Sequence, residues 1–147
     1  MDLTNVVKVA RQEVGYIESK GNITKYGEWF GLNGVSWCGI FVSWCYAMAG
    51  VPLPKIGFKN GFAGCQTAVE YFSAKKMIVQ NPIAGDIVLY DWQGDGRYDH
   101  TGIFLKRNDS NTFSAIEGNT STKNQSNGGS VMVRNRSYKN CIFIHVS

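Results

Sequence analysis

The chain changes texture at Ile83, and that change constrains its fold more than any other feature. Ahead of it, Leu3, Val6, Val7, Ala10, Val14 and Ile17 recur at spacings of three and four, which predicts one amphipathic helix over residues 2–18 with Asp2 or Thr4 able to cap its start. The run CGIFVSWCYAMAG is apolar nearly all the way round and closes on Gly50, the pattern of a central buried helix with a glycine stop. GNITKYGEWFGLNGVSW reads as a Gly- and aromatic-rich connection, VPLPKIGFKNGFAG as a loop broken by Pro52 and Pro54, and CQTAVEYFSAKK as a further helix. After Ile83 come short β-rich runs, DIVLYDW, HTGIFLK, TFSAIEG, SVMVRNR and CIFIHV, divided by Gly-, Asn- and Asp-rich turns. Helices followed by an antiparallel meander predict an α+β fold, N-terminal helices packed on a sheet, and 147 residues without a repeat or linker predict one domain over 1–147.

Several function classes fall away on composition. With 44% apolar and 18% charged residues the chain is globular rather than disordered. No apolar run approaches the length that spans a bilayer, and the segment MDLTNVVKVARQEVGYIESK lacks a signal-like stretch, so neither membrane insertion nor self-export is expected. The net charge of +4 is spread thinly, with KK at 75 and RNR at 134 the densest groups, too loose for a nucleic-acid stripe. A monomer is expected. Cys38, Cys45, Cys65 and Cys141 lack the paired spacing of a zinc site. Cys38 and Cys45 lie along one helix, too far apart for a disulfide, and reduced thiols are the expectation.

Chemistry concentrates on a few of the remaining residues. Ser36 can cap the apolar helix, which puts Cys38 in its first turn, where free N–H groups and the positive dipole end favour a thiolate. That position suits a nucleophile and a small buried residue equally. Cys45 and Cys141 sit inside apolar runs and read as structural. A thiolate attacking an amide needs a proton shuttle, and the chain has two histidines. His145, in CIFIHV, reads as structural, whereas His100 stands where the polar loop DWQGDGRYD hands over to a strand. A hairpin of 100–106 and 112–118 closed by the loop Arg107–Ser110 sets His100 opposite Glu117, Gly102 opposite Ala115 and Phe104 opposite Phe113. Glu117 then suits the third role, fixing the imidazole's tautomer and stabilising its charged form. Asn119 points to the same side two residues on, and Gly118 allows close backbone approach.

These residues resemble the CHAP domains (cysteine, histidine-dependent amidohydrolases/peptidases) of phage lysins and bacterial cell-wall hydrolases. KYGEWFGLNGVSWCGIFVSWC is similar to the family's nucleophile region, GDIVLYDW with DHTGIFL to its histidine hairpin, and IEGNTS to its Glu and Asn motif, in the family's order along nearly the whole chain. The resemblance implies a papain-like, NlpC/P60-related fold with Cys38 as nucleophile, His100 as base, Glu117 as orienter and Asn119 as a fourth polar site residue. It implies a peptidoglycan substrate cut at an amide bond through an acyl-enzyme, with N-acetylmuramoyl-L-alanine amidase preferred over stem-peptide or crossbridge endopeptidase. The alternative is a catalytically silent wall-binding module. Gly39 departs from the alanine common in related sequences, and no separate cell-wall-binding module is visible. The lack of a signal favours a phage lysin, moving from host cytoplasm to wall, or a virion enzyme over an autolysin.

Lesser signals surround this set. The oxyanion of acyl transfer needs donors; the Cys38 N–H is one, and Tyr26 and Asn33 are candidates for the second and for substrate binding. Trp29, Trp37 and Trp92 could stack on sugar rings, with core packing the safer reading for Trp37 and Trp44. The chemistry requires no cofactor. Asp91, Asp95 and Asp99 form part of a calcium loop whose twelfth position, Gly102, lacks the bidentate glutamate, so an Asx-bonded turn is preferred to a Ca2+ site. The polar stretch 119–130 reads as a mobile loop beside the site.

Overall fold

The computed structural model describes residues 2–146 and sets four helices against one six-stranded antiparallel sheet, the α+β arrangement expected. The helices are α1 (Thr4–Glu13), α2 (Lys25–Phe30), α3 (Cys38–Met48) and α4 (Cys65–Ala74). The strands are β1 (Ile78–Val79), β2 (Ile87–Tyr90), β3 (His100–Arg107), β4 (Thr112–Thr120), β5 (Ser130–Ser137) and β6 (Cys141–Ile144).

The first helix is shorter than its apolar spacing predicts. Asp2 Oδ1 accepts the Thr4 N–H at 2.9 Å, but α1 stops at Glu13, and Gly15 turns the chain with a φ of +101°. Residues 15–18 then hydrogen-bond to residues 129–131 as Gly15 N–H to Val131 O, Val131 N–H to Tyr16 O and Glu18 N–H to Gly129 O. Strand-like partners thus replace the helical ones, and Val14 and Ile17, in phase with the helix on paper, end exposed. The connection before Cys38 is also not all loop. Thr24 Oγ1 accepts the Gly27 N–H at 2.9 Å and starts the short α2.

The sheet order is β1-β6-β2-β3-β4-β5. Strands β2 to β5 form the expected meander, but β6 crosses back to pair with β2, and the two-residue β1 adds an edge too short to read as a pattern. Alternation gives the sheet two apolar faces. Ile87, Leu89, Ile103 and Ile116 join a core with α3, whose Ile40, Phe41, Val42 and Cys45 are fully enclosed. Val88, Tyr90, Phe104, Phe113 and Phe143 form a second, largely aromatic cluster.

The β3–β4 register differs from the expected one. The observed pairs are Ile103 with Ile116 and Phe104 with Ala115, then Lys106 with Ser114 and Arg107 with Phe113 after a bulge around Leu105. The turn lies later than Arg107–Ser110: Asn108 N–H reaches Thr112 O at 2.9 Å, and Asp109 Oδ1 accepts the N–H groups of Asn111 and Thr112. His100 is therefore not directly opposite Glu117. On the His100 side of the bulge the strands are offset by two residues from expectation, and because side chains alternate with period two, an even offset leaves His100 and Glu117 on one face.

Candidate active site

Cys38 is the first residue of α3. Ser36 does not cap that helix; Trp37 holds the cap position without a side-chain bond, and Ser36 Oγ instead accepts from Asn119 Nδ2 at 3.2 Å. The first-turn N–H groups therefore meet Cys38 without a competing side-chain acceptor. α3 can start this close to the sheet because Gly118 has no side chain: a Cβ there would sit 2.8 Å from both Phe41 Cβ and the Trp37 ring. His100 opens β3 opposite Tyr90 of β2 and is fully buried. Its Nε2 lies 2.9 Å from Glu117 Oε1, and since a carboxylate can only accept, Nε2 carries the proton. Nδ1 is buried and has no hydrogen-bond partner, which leaves it free to take a proton from the thiol.

Glu117 is held by more than the histidine. Tyr90 Oη donates to its Oε2 at 2.7 Å, while Arg136 donates from Nε to Oε2 at 2.9 Å and from Nη2 to Oε1 at 2.5 Å. Four donors thus converge on one buried carboxylate. Burial alone would raise its pKa, but Arg136 and then His100 outweigh burial and lower it, so the group stays ionised. The His100 ring stacks on Trp92 and Tyr90, with centroids 5.3 and 5.8 Å away, and the Arg136 guanidinium lies over Trp92 at 4.7 Å. This packing fixes the ring plane.

The thiol and imidazole shift one another. A hydrogen bond with Cys65, with the His100 charge behind it, brings the Cys38 pKa well below the ordinary thiol value against the opposing effect of burial. Burial also opposes charge on His100, yet Cys38 and then Glu117 raise that residue to about 9. Between those limits the favoured state is a thiolate beside an imidazolium, with Glu117 and Arg136 continuing the alternation of charge. Such a chain can attack an electrophilic carbonyl carbon and return a proton to a leaving group.

Arg136, Tyr90 and Cys65 are absent from the sequence-based set. Arg136 had a signal: in SVMVRNR the two-residue period puts Met132, Arg134 and Arg136 on one face, and a charge aimed inward from a strand calls for a buried partner. Cys65 had none, being 27 residues from Cys38.

Other expected residues lie elsewhere. Asn119 follows a register break and takes a φ of 58°, so strand alternation does not carry its side chain to His100. It bonds to Ser36, Asn127 and the Gly129 N–H instead, tying the entry of α3 to the loop after β4. Tyr26 is enclosed and donates to Glu13, and Asn33 Oδ1 accepts the Thr24 N–H, so each serves the α2 region rather than an oxyanion or a substrate. Trp37 is buried with its Nε1–H on Glu18, which withdraws it from sugar stacking. Trp92 is half-buried against His100, and Trp29 is half-buried beside Phe30. Asp91 spends its carboxylate on the N–H groups of Asp95 and Gly96, and Asp95 on that of Arg97; among the described residues no three acidic, histidine or cysteine side chains cluster to hold a metal. Within the 119–130 loop, Gly128 N–H bonds to Asn119 O and Arg136 donates to Gln125. His145 pairs with Asp86 at 2.7 Å, away from Cys38.

Compared with family models, residues 30–119 match the CHAP domain, a span that includes Cys38, His100 and Glu117 but not Arg136. The helices and the six-stranded antiparallel sheet agree with the papain-like fold of that family. No curated protein matches the chain.

Proposed function

The chain belongs to the CHAP domain family, which implies a peptidoglycan hydrolase, and from that premise we propose that it cuts an amide bond of peptidoglycan through Cys38, His100 and Glu117. The observation that carries this reading is the buried chain of contacts in which His100 Nε2 is bound to Glu117 while Nδ1 is left for the thiol. The Cys38 thiolate attacks the amide carbon, and the oxyanion is met by the Cys38 N–H at the start of α3. The imidazolium then protonates the leaving amine as the C–N bond breaks, leaving a thioester on Cys38. Water, deprotonated by His100, attacks the thioester carbon and releases the carboxylic acid and the thiolate. Glu117 keeps the ring oriented and stabilises its positive form in both half-reactions.

We assign the bond between muramic acid and L-alanine ahead of those within the stem or crossbridge. Purified sacculi digested with wild type and with Cys38→Ser, analysed by mass spectrometry with labelling of newly exposed amines, test this. Free L-alanine N-termini are expected from wild type and no new amines from the variant. New amines on other residues would make the protein an endopeptidase. Hydrolysis by Cys38→Ser would refute the nucleophile, and equal inactivity of both proteins would leave wall binding as the function.

A further inference from the structure

We propose that Cys65 is a positioning residue of the same site, its S–H donating to the Cys38 sulfur and holding the thiolate at the start of α3. The inference rests on Cys38 being the nucleophile. The two sulfurs are 3.9 Å apart, both enclosed, and each belongs to the first residue of its helix, so the N-termini of α3 and α4 converge on one point. Convergence is enforced by the segment leading into α4. Ser43 Oγ, on α3, donates to Gly39 O at 2.9 Å and accepts the Phe62 N–H at 3.1 Å, fastening residue 62 to the helix. Gly39 completes the fit. A Cβ at that position would lie 2.9 Å from Ala63 O and from the Phe62 ring, so any larger residue would push the 62–65 segment, and Cys65 with it, away from Cys38.

The direction of the bond follows from the neighbours. Cys38 has His100 to receive its proton and a favourable helix start. At Cys65 no base stands by among the described residues, and burial and the negative charge of Asp99 oppose ionisation, so Cys65 is the donor. Away from bulk water, a thiolate has few groups to offset its charge, and a bond to a charged acceptor is stronger than one between neutral thiols. A small buried cysteine filling space would need none of this alignment.

The test uses the full chain carrying Cys65→Ala or Cys65→Ser. Two quantities are read across pH: kcat/KM on peptidoglycan, and the rate of iodoacetamide alkylation of Cys38 followed by peptide mapping. In Cys65→Ala both should fall by about tenfold on the acid side, the scale of one hydrogen bond to a charged group, and recover at higher pH. Cys65→Ser keeps a donor and should regain much of the loss; it also serves if the alanine variant folds poorly. Profiles of both variants that overlie wild type, with alkylation of Cys38 still abolishing hydrolysis, would overturn this role alone. Alkylation of Cys38 that spares hydrolysis would overturn the parent assignment and this one together.

Discussion

Replacing Glu117 by glutamine probes the best-connected group in the molecule. The wild-type carboxylate accepts from His100, Tyr90 and two nitrogens of Arg136, and neither Glu117 nor Arg136 has appreciable contact with solvent, at 0% and 7% side-chain exposure. Glutamine offers one acceptor oxygen and an NH2 group that must face a donor, and it leaves the guanidinium without a counter-charge. Removing one partner of a buried ion pair costs about 3–5 kcal/mol. In a chain of this length that should lower Tm by roughly 10 °C or more. Hydrolysis measured well below Tm should fall by less than in His100→Ala, since the amide can still hold the ring. The alkaline limit of activity should move below 9, because the imidazolium loses an anion that stabilises it. The decisive comparison is the double variant Glu117→Gln/Arg136→Met, which removes both charges and should be more stable than Glu117→Gln alone. Thermal unfolding by circular dichroism reads these differences. A fall in Tm of less than about 2 °C in the single variant, or a double variant less stable than the single, would refute the reasoning.

The pH profile of kcat/KM should be a bell: activity rises as Cys38 ionises, below the ordinary thiol range, and falls as His100 loses its proton near 9; a rate still climbing past that point would exclude the ion pair. Stability should show the matching signs in denaturant titrations, with the contribution of Glu117 present above the ordinary carboxylate range and lost as pH falls through its lowered folded value. Gly102→Ala would place a Cβ 2.6 Å from Glu117 Cγ, so the rate should drop on the order of 100-fold with the circular dichroism spectrum retained, and near-normal activity would show that the orienter has freedom to move. EGTA should leave Tm unchanged, whereas Asp91→Ala, which frees two backbone N–H groups, should lower it by about 2–4 °C; a loss in EGTA restored by calcium would make the 91–99 loop an ion site.

What the sequence determined by itself is whatever depends on local period and on short-range grammar. The all-round apolar run beginning at Cys38 reads as a central helix and the alternating runs after Ile83 read as strands, so the α+β class was legible, and so was a hairpin that brings His100 to Glu117. The tertiary structure decided what depends on chain segments meeting. The β3–β4 register was misjudged because a bulge around Leu105 is invisible to alternation, yet His100 and Glu117 still met because the resulting offset was even. Asn119 was misplaced for the opposite reason, since a left-handed residue at a register break ends the alternation that seemed to aim it. Arg136 reaches Glu117 from the adjacent β5 and Tyr90 from β2 across β3, contacts that depend on register and side-chain reach rather than on strand order, and β6 returned to pair with β2 instead of extending the meander. Cys65 lies farthest from legibility: nothing local distinguishes it from any small buried residue, and its 3.9 Å approach to Cys38 exists only because Ser43 and the bare backbone of Gly39 let a loop lie flush against a helix. Local patterns are written in the chain because they arise from interactions a few residues long, while close approach between distant segments is set by how whole faces pack.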